Sequence, residues 1–114
     1  MRGPRYPRTP DGRYFVSKGR LWRCTDPGLT DAERRPLVKE LMRARAGIRT
    51  APEAEIPTLR ARVDAAKRAL GERGPVWWTD GAEDEGGRHP RNTSYADWWA
   101  GLTQEERARG EGRD

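Results

Sequence analysis

The sequence predicts a small α+β domain with elements in the order ββααβα, and three observations lead there. Two short segments rich in aromatic and β-branched residues flank Lys18-Gly19, two apolar stripes share the spacing 4, 3, 4, and the run Val76-Trp77-Trp78-Thr79 follows them. The first pattern is that of a β-hairpin, the second that of a packed helical pair, and the third that of a short extra strand.

The chain opens MRGPRYPRTPDG, with prolines at 4, 7 and 10 and arginines at 2, 5 and 8. A polyproline helix has three residues per turn and would line up each set along its own edge, as a ligand for an aromatic groove. A terminus this polar has few partners for its backbone, and residues 1–12 read rather as a flexible basic arm. In RYFVSKGRLWRC, Tyr14 and Val16 face one side of the first strand and Phe15 the other, while Gly19 supplies the positive φ of a tight turn. The second strand alternates less cleanly: Leu21 and Cys24 flank Trp22, with Arg20 and Arg23 between, and Cys24 reads as a small strand residue.

Thr30-x-x-Glu33 is a capping box, and a helix of about fifteen residues is expected after it. Pro36 lies deep in that helix, so either the first turn is separate or the helix bends there. The stripes Leu37, Leu41, Ala44, Ile48 and Leu59, Val63, Ala66, Leu70, joined by TAPEAEIP, describe an antiparallel pair meeting along one seam. Pro57 suits the first turn of the second helix, whose Arg60, Arg62, Lys67 and Arg68 form a solvated face. Gly71 to Pro75 stops it. The strand VWWT sends Trp77 and Trp78 to opposite sides, and after a polar loop from Asp80 to Asn92, Thr93 or Ser94 caps a short helix carrying Tyr95, Trp98 and Trp99. Residues 13–102 are thus read as one domain. Thr103 to Glu106 repeats the capping signal, but the residues beyond it are polar, and 103–114 reads as a frayed tail.

Fourteen of the 114 residues are Leu, Val, Ile or Phe, a share low enough to threaten folding in a chain that is 36% charged. Five Trp and three Tyr compensate, since each buried aromatic ring system removes about 150–250 Å² from water. The doubled tryptophans are therefore expected in the core before anywhere else.

No apolar run exceeds three residues, short of a membrane span or a signal peptide, and the expected location is the cytoplasm. One Cys and one His fall short of a zinc site built from those ligands. The acids of DGAEDEGG lack the ligand order of a calcium loop, and His89 reads as an exposed loop residue. Phosphate loops, nucleophile elbows and paired-histidine motifs are missing as well. No catalytic residue, metal or cofactor is assigned, and an enzyme built on Asp80 and Asp84 ranks last.

The net charge of +5 is unevenly spread: residues 1–24 carry +6, and residues 75–114 carry −4. Such asymmetry steers partners or keeps a protein dispersed. The strings RYFVSKGRLWR, AAKRALGERGPVWWTDGA and RNTSYADWWAGL resemble a small bacterial family of unestablished activity, marked by a GERGPVWW segment and an N-T-x-Y-A-x-W ending. Some of its members carry the label Tol biopolymer transporter, which a chain with such short apolar runs does not support. The resemblance spans roughly residues 13 to 102 and implies domain limits and fold, with no site.

The first functional expectation is a non-enzymatic module that meets a protein partner through Trp77, Trp78, Arg88, Arg91, Tyr95 and Trp98. The alternative is a nucleic-acid-binding accessory protein that uses the arm and hairpin through Arg5, Arg8, Arg13, Lys18, Arg20 and Arg23.

Overall fold

A hairpin with both edges occupied organises one half of the molecule. The computed structural model describes residues 5–112, an α+β chain of one two-stranded antiparallel sheet and four α-helices among those residues. It divides into two compact units, one made of the chain up to Cys24 together with the chain from Gly81, the other of Thr25–Asp80.

In the first unit, strands β1 (Tyr14–Ser17) and β2 (Arg20–Arg23) pair in the register Tyr14 to Arg23 and Phe15 to Trp22. Lys18 and Gly19 both have positive φ, 53° and 73°, the requirement of a tight hairpin turn whose twist matches its strands. Each outer edge of the hairpin is then taken up by chain from elsewhere. Along β1, Val16 N–H donates to Pro7 O and Thr9 N–H to Tyr14 O, both at 2.9 Å, and Arg8 bridges Phe15. Along β2, Leu21 N–H donates to Arg88 O at 2.9 Å while Gly87 N–H donates to Leu21 O at 2.8 Å. The segment expected as a loose arm is therefore held from Pro7 onward, because it satisfies an edge that would otherwise present bare amides and carbonyls. Of the proline series, Pro4 lies outside the described residues, and Pro10 sits in the turn that leads back into β1.

Two further helices close this unit, α3 (Ala96–Ala100) and α4 (Gln104–Glu111). The expected cap of α3 is not formed by Thr93 or Ser94: Thr93 Oγ1 donates to Pro90 O and accepts from Tyr95 N–H, and Ser94 Oγ donates to Glu85. Tyr95 instead precedes the helix directly. Where a frayed tail is expected, the Thr103–Glu106 capping box forms and starts α4. Polar composition concealed it because α4 is held through a glycine. Gly110 is buried, and a methyl there would stand 3.0 Å from two Trp99 ring carbons and 3.2 Å from Val16 Cγ1.

In the Thr25–Asp80 unit, α1 (Asp31–Ile48) and α2 (Ile56–Ala69) form the expected helical pair. The Thr30–Glu33 box caps α1, with Thr30 N–H donating to Glu33 at 2.8 Å and Glu33 N–H to Thr30 Oγ1 at 3.1 Å. Pro36 interrupts neither end: α1 runs through it as one helix. Leu41, Ala66 and Leu70 form the buried seam, with Leu29, Leu37, Val38 and Val63 packed against it. Arg62 grips Glu40 across the pair through two hydrogen bonds, at 2.8 and 2.9 Å.

The strand expected at Val76–Thr79 is not formed among the described residues. Adjacent strand residues point to opposite faces, whereas the Trp77 and Trp78 rings meet edge to face with centroids 5.2 Å apart. Burial also divides each tryptophan doublet, for Trp78 and Trp99 are 8% and 6% exposed while Trp77 and Trp98 are half-buried. The second ring of each pair supplies the core.

Gly110→Ala tests how closely α4 is seated. Alanine gains up to about 1 kcal/mol over glycine inside a helix, whereas overpacking a core costs about 1–3 kcal/mol. A lowered melting temperature is expected, with Gly101→Ala, whose added methyl meets nothing nearer than 3.5 Å, leaving it nearly unchanged.

Candidate nucleic-acid interface

The two faces of the hairpin differ in chemistry because residue parity divides them. Tyr14, Val16, Leu21 and Arg23 are buried on the inner face. The outer face carries Phe15, Ser17, Arg20 and Trp22, of which Arg20 and Trp22 are exposed. The docked segment extends that outer face. Arg8 is the bridge partner of Phe15, and the Tyr6 ring lies 5.8 Å from the Phe15 ring, tilted by 30°. Trp22 is held in place by its indole N–H, which donates to Ser17 O at 2.8 Å.

Beneath the sheet, a polar network secures the loop that follows Gly81. Arg23, its side chain only 6% exposed, donates to Asp84 Oδ2 at 2.9 Å. The Tyr14 hydroxyl donates to Asp84 Oδ1 at 3.1 Å and accepts from Glu85 N–H at 2.8 Å, and Gly86 N–H closes the set on Asp84 Oδ1. Burial works to raise the Asp84 carboxyl's pKa, but the Gly86 amide, the Tyr14 hydroxyl and Arg23 together hold it below its ordinary value. Burial, aided by the neighbouring Asp84 carboxylate and opposed by the Glu85 amide, pushes the Tyr14 phenol up to about 12. A second phenol behaves alike: Tyr95 donates to Asp11 Oδ2 at 2.7 Å, and burial followed by that carboxylate raises its pKa. Asp84, one of the two acids of the catalytic alternative, is thus committed to holding a loop.

Arg23 is not available to a ligand, being buried against Asp84, because its strand position falls on the inner face. Arg13 lies 3.9 Å from Asp11. Arg5, Arg8, Lys18 and Arg20 are exposed, and none of them forms an ion pair among the described residues. The six residues of the first expectation divide between the units. Trp77 and Trp78 belong to Thr25–Asp80; Arg88, Arg91, Tyr95 and Trp98 belong to the hairpin unit. Arg88 and Arg91 are exposed, while Tyr95 is half-buried, edge-on to Tyr14 at 5.6 Å and bonded to Asp11.

Composition and charge do not single out Tyr6, Phe15 and Trp22. The parity of RYFVSKGRLWRC placed Phe15 opposite Tyr14 and so carried part of the signal, but nothing local to the sequence indicated that Tyr6 would dock beside it.

Comparison with protein-family models, with curated proteins and with solved structures gives no match. No helix among the described residues is long and apolar enough to cross a membrane. The fold and site define the class as a small α+β protein with a basic, aromatic-faced hairpin.

The tyrosine network sets an alkaline limit. A phenol whose pKa is higher in the fold than in the unfolded chain stabilises below its ordinary value, and that contribution is lost as pH rises through the folded value. For Tyr14 the window runs from 10.0 to about 12. Tyr14→Phe removes two hydrogen bonds, at a cost of about 1–3 kcal/mol at neutral pH. Its stability deficit relative to the parent is expected to shrink across that window in denaturant titrations at successive pH values.

Proposed function

We propose that the hairpin unit binds nucleic acid through its outer face and docked segment. The observation that carries this reading is the set Arg8, Lys18 and Arg20, exposed on one hairpin and its docked segment with no acid paired to them among the described residues. Arg62, by contrast, is paired with Glu40, and Arg68 and Arg73 are paired with Asp64. Unpaired cations on a firm surface are what a phosphate backbone engages, displacing its own counterions. Arg5 adds to the set, and its backbone carbonyl accepts from Arg109 Nε at 3.1 Å, which ties that end of the segment to α4.

A second reading assigns the unit a protein partner at Arg88, Arg91 and Trp98. The exposure of both arginines, unpaired among the described residues, favours it. Nuclease treatment separates the two, because capture that survives nuclease does not depend on a polynucleotide.

Affinity for a labelled oligonucleotide, measured from low to moderate salt, tests the first reading. Binding is expected to weaken steeply, and each of Arg8→Ala, Lys18→Ala and Arg20→Ala to reduce the slope of log affinity against log salt by about one. An affinity that ignores salt overturns it.

A further inference from the structure

The aromatic rings on the same face point to the form of nucleic acid that fits it, and this step rests on the reading just given. Tyr6 and Trp22 are 38% and 39% exposed, two of the three large hydrophobic residues left open among the described residues. Phe15 lies between them, opposite Trp22 in the strand register and in tilted contact with Tyr6. The three residues therefore line up in a row across the docked segment, β1 and β2, with the rings of Tyr6 and Phe15 in contact. In a chain with so few aliphatic residues, rings kept out of the core represent stabilisation forgone, and an open apolar row of this kind marks an interaction surface.

Two features fit the row to flat ligands. The hydrogen bond from Trp22 to Ser17 O fixes the indole before any ligand arrives, so little side-chain freedom remains to be lost on binding. Cations frame the rings as well: Arg8 is the bridge partner of Phe15, and Arg20 lies two residues before Trp22 on the same face. A base stacks on an indole or phenol whatever its identity, while the arginines meet the phosphates on either side.

Duplex is the poorer occupant on geometric grounds. The major groove, about 12 Å wide, admits an α-helix or a two-stranded ribbon. Here the ribbon is widened by Pro7–Thr9 on one edge and Gly87–Arg88 on the other, and four lanes spaced about 4.8 Å apart exceed that width before side chains are added. Bases within a duplex also stack on one another and offer their faces to nothing else. We propose that this face binds unpaired polynucleotide, with about three bases stacked on Tyr6, Phe15 and Trp22 as sheet-borne aromatics do.

The test compares three probes by fluorescence anisotropy at fixed salt: labelled oligo-dT, a duplex of equal length, and inorganic polyphosphate as competitor, which has the charge without bases. Oligo-dT is expected to bind tightest. Trp22→Ala and Tyr6→Ala are each expected to weaken oligo-dT by about tenfold, the loss of one stacked base, while polyphosphate competes as well as before. Trp22→Phe, which keeps a flat ring, is expected to retain most of the affinity. Thermal melts check that the variants remain folded, and since two rings at opposite ends of the row are tested, damage to one does not decide the result. If oligo-dT, duplex and polyphosphate bind alike and the ring variants change nothing, stacking is overturned while a charge-based nucleic-acid reading stands. Tighter binding of duplex than of oligo-dT has the same meaning. Failure of all three probes at low salt overturns both readings, and a nuclease-resistant protein complex that depends on Trp22 reassigns the face to a protein.

Discussion

Two strands of four residues cannot sustain themselves in water, because a lone short hairpin buries too little and leaves both edges unsatisfied. This constraint governs the hairpin unit. Its answer is to bring chain from both directions: Pro7–Thr9 from the N-terminal side completes the β1 edge, and Gly87–Arg88 from the C-terminal side completes the β2 edge. The remaining features follow from those two dockings. Tyr6 reaches Phe15 because its segment is pinned, and the loop carrying Asp84 passes beneath the sheet because the chain continues to Gly87. Gly19 N–H donates to Gly110 O at 3.0 Å, so even the hairpin turn is met by α4.

The Arg23–Asp84–Tyr14 network is part of this solution. Burying a guanidinium costs several kcal/mol, recovered only when its partner is well placed and otherwise satisfied. Asp84 meets that condition by accepting from Arg23, Tyr14 and the Gly86 amide together, while its own side chain remains 44% exposed. The carboxylate end of the pair is thus open to water, which lowers both the cost and the gain. Its main contribution is positional, since it specifies where an otherwise featureless, Gly-rich acidic loop crosses the fold. The same loop presents Glu85, which holds Ser94 through both its backbone and its hydroxyl.

What was legible in the sequence was local. The capping boxes at Thr30 and Thr103, the matched stripes of α1 and α2 and the hairpin around Lys18-Gly19 each rest on residues a few positions apart, and each forms. What was not legible depends on partners distant along the chain. Pro7 and Arg88 carry no strand signal of their own, because an edge lane needs only backbone groups, and those are shared by every sequence. The polarity of α4 hides it in the sequence, yet it packs through Gly110, where the missing side chain lets Trp99 and Val16 approach. Apolar content registers side chains and cannot register a useful absence. The doublet at Trp77–Trp78 misled in the opposite sense, for two aromatics after a valine resemble a strand until their rings are seen to touch. On the candidate face the cations were legible by charge alone, whereas the ring of Tyr6 depended on the docking.

Covering both edges also determines how this unit can bind anything. A sheet with open edges recruits partners through its backbone, adding a strand almost regardless of sequence. Here that route is closed along Tyr14–Ser17 and at Leu21, and the inner face is spent on Tyr14, Val16, Leu21 and Arg23. Only the outer face is left, and recognition there must proceed through side chains. Those side chains are flat rings and fixed positive charges, with Ser17 the one small hydroxyl among them and no carboxylate. Such a set discriminates poorly between hydrogen-bonding patterns and well between ligands with and without exposed π-faces. The edge coverage that stabilises the hairpin therefore also narrows the ways a partner can engage it, to contacts with the rings and charges of the outer face.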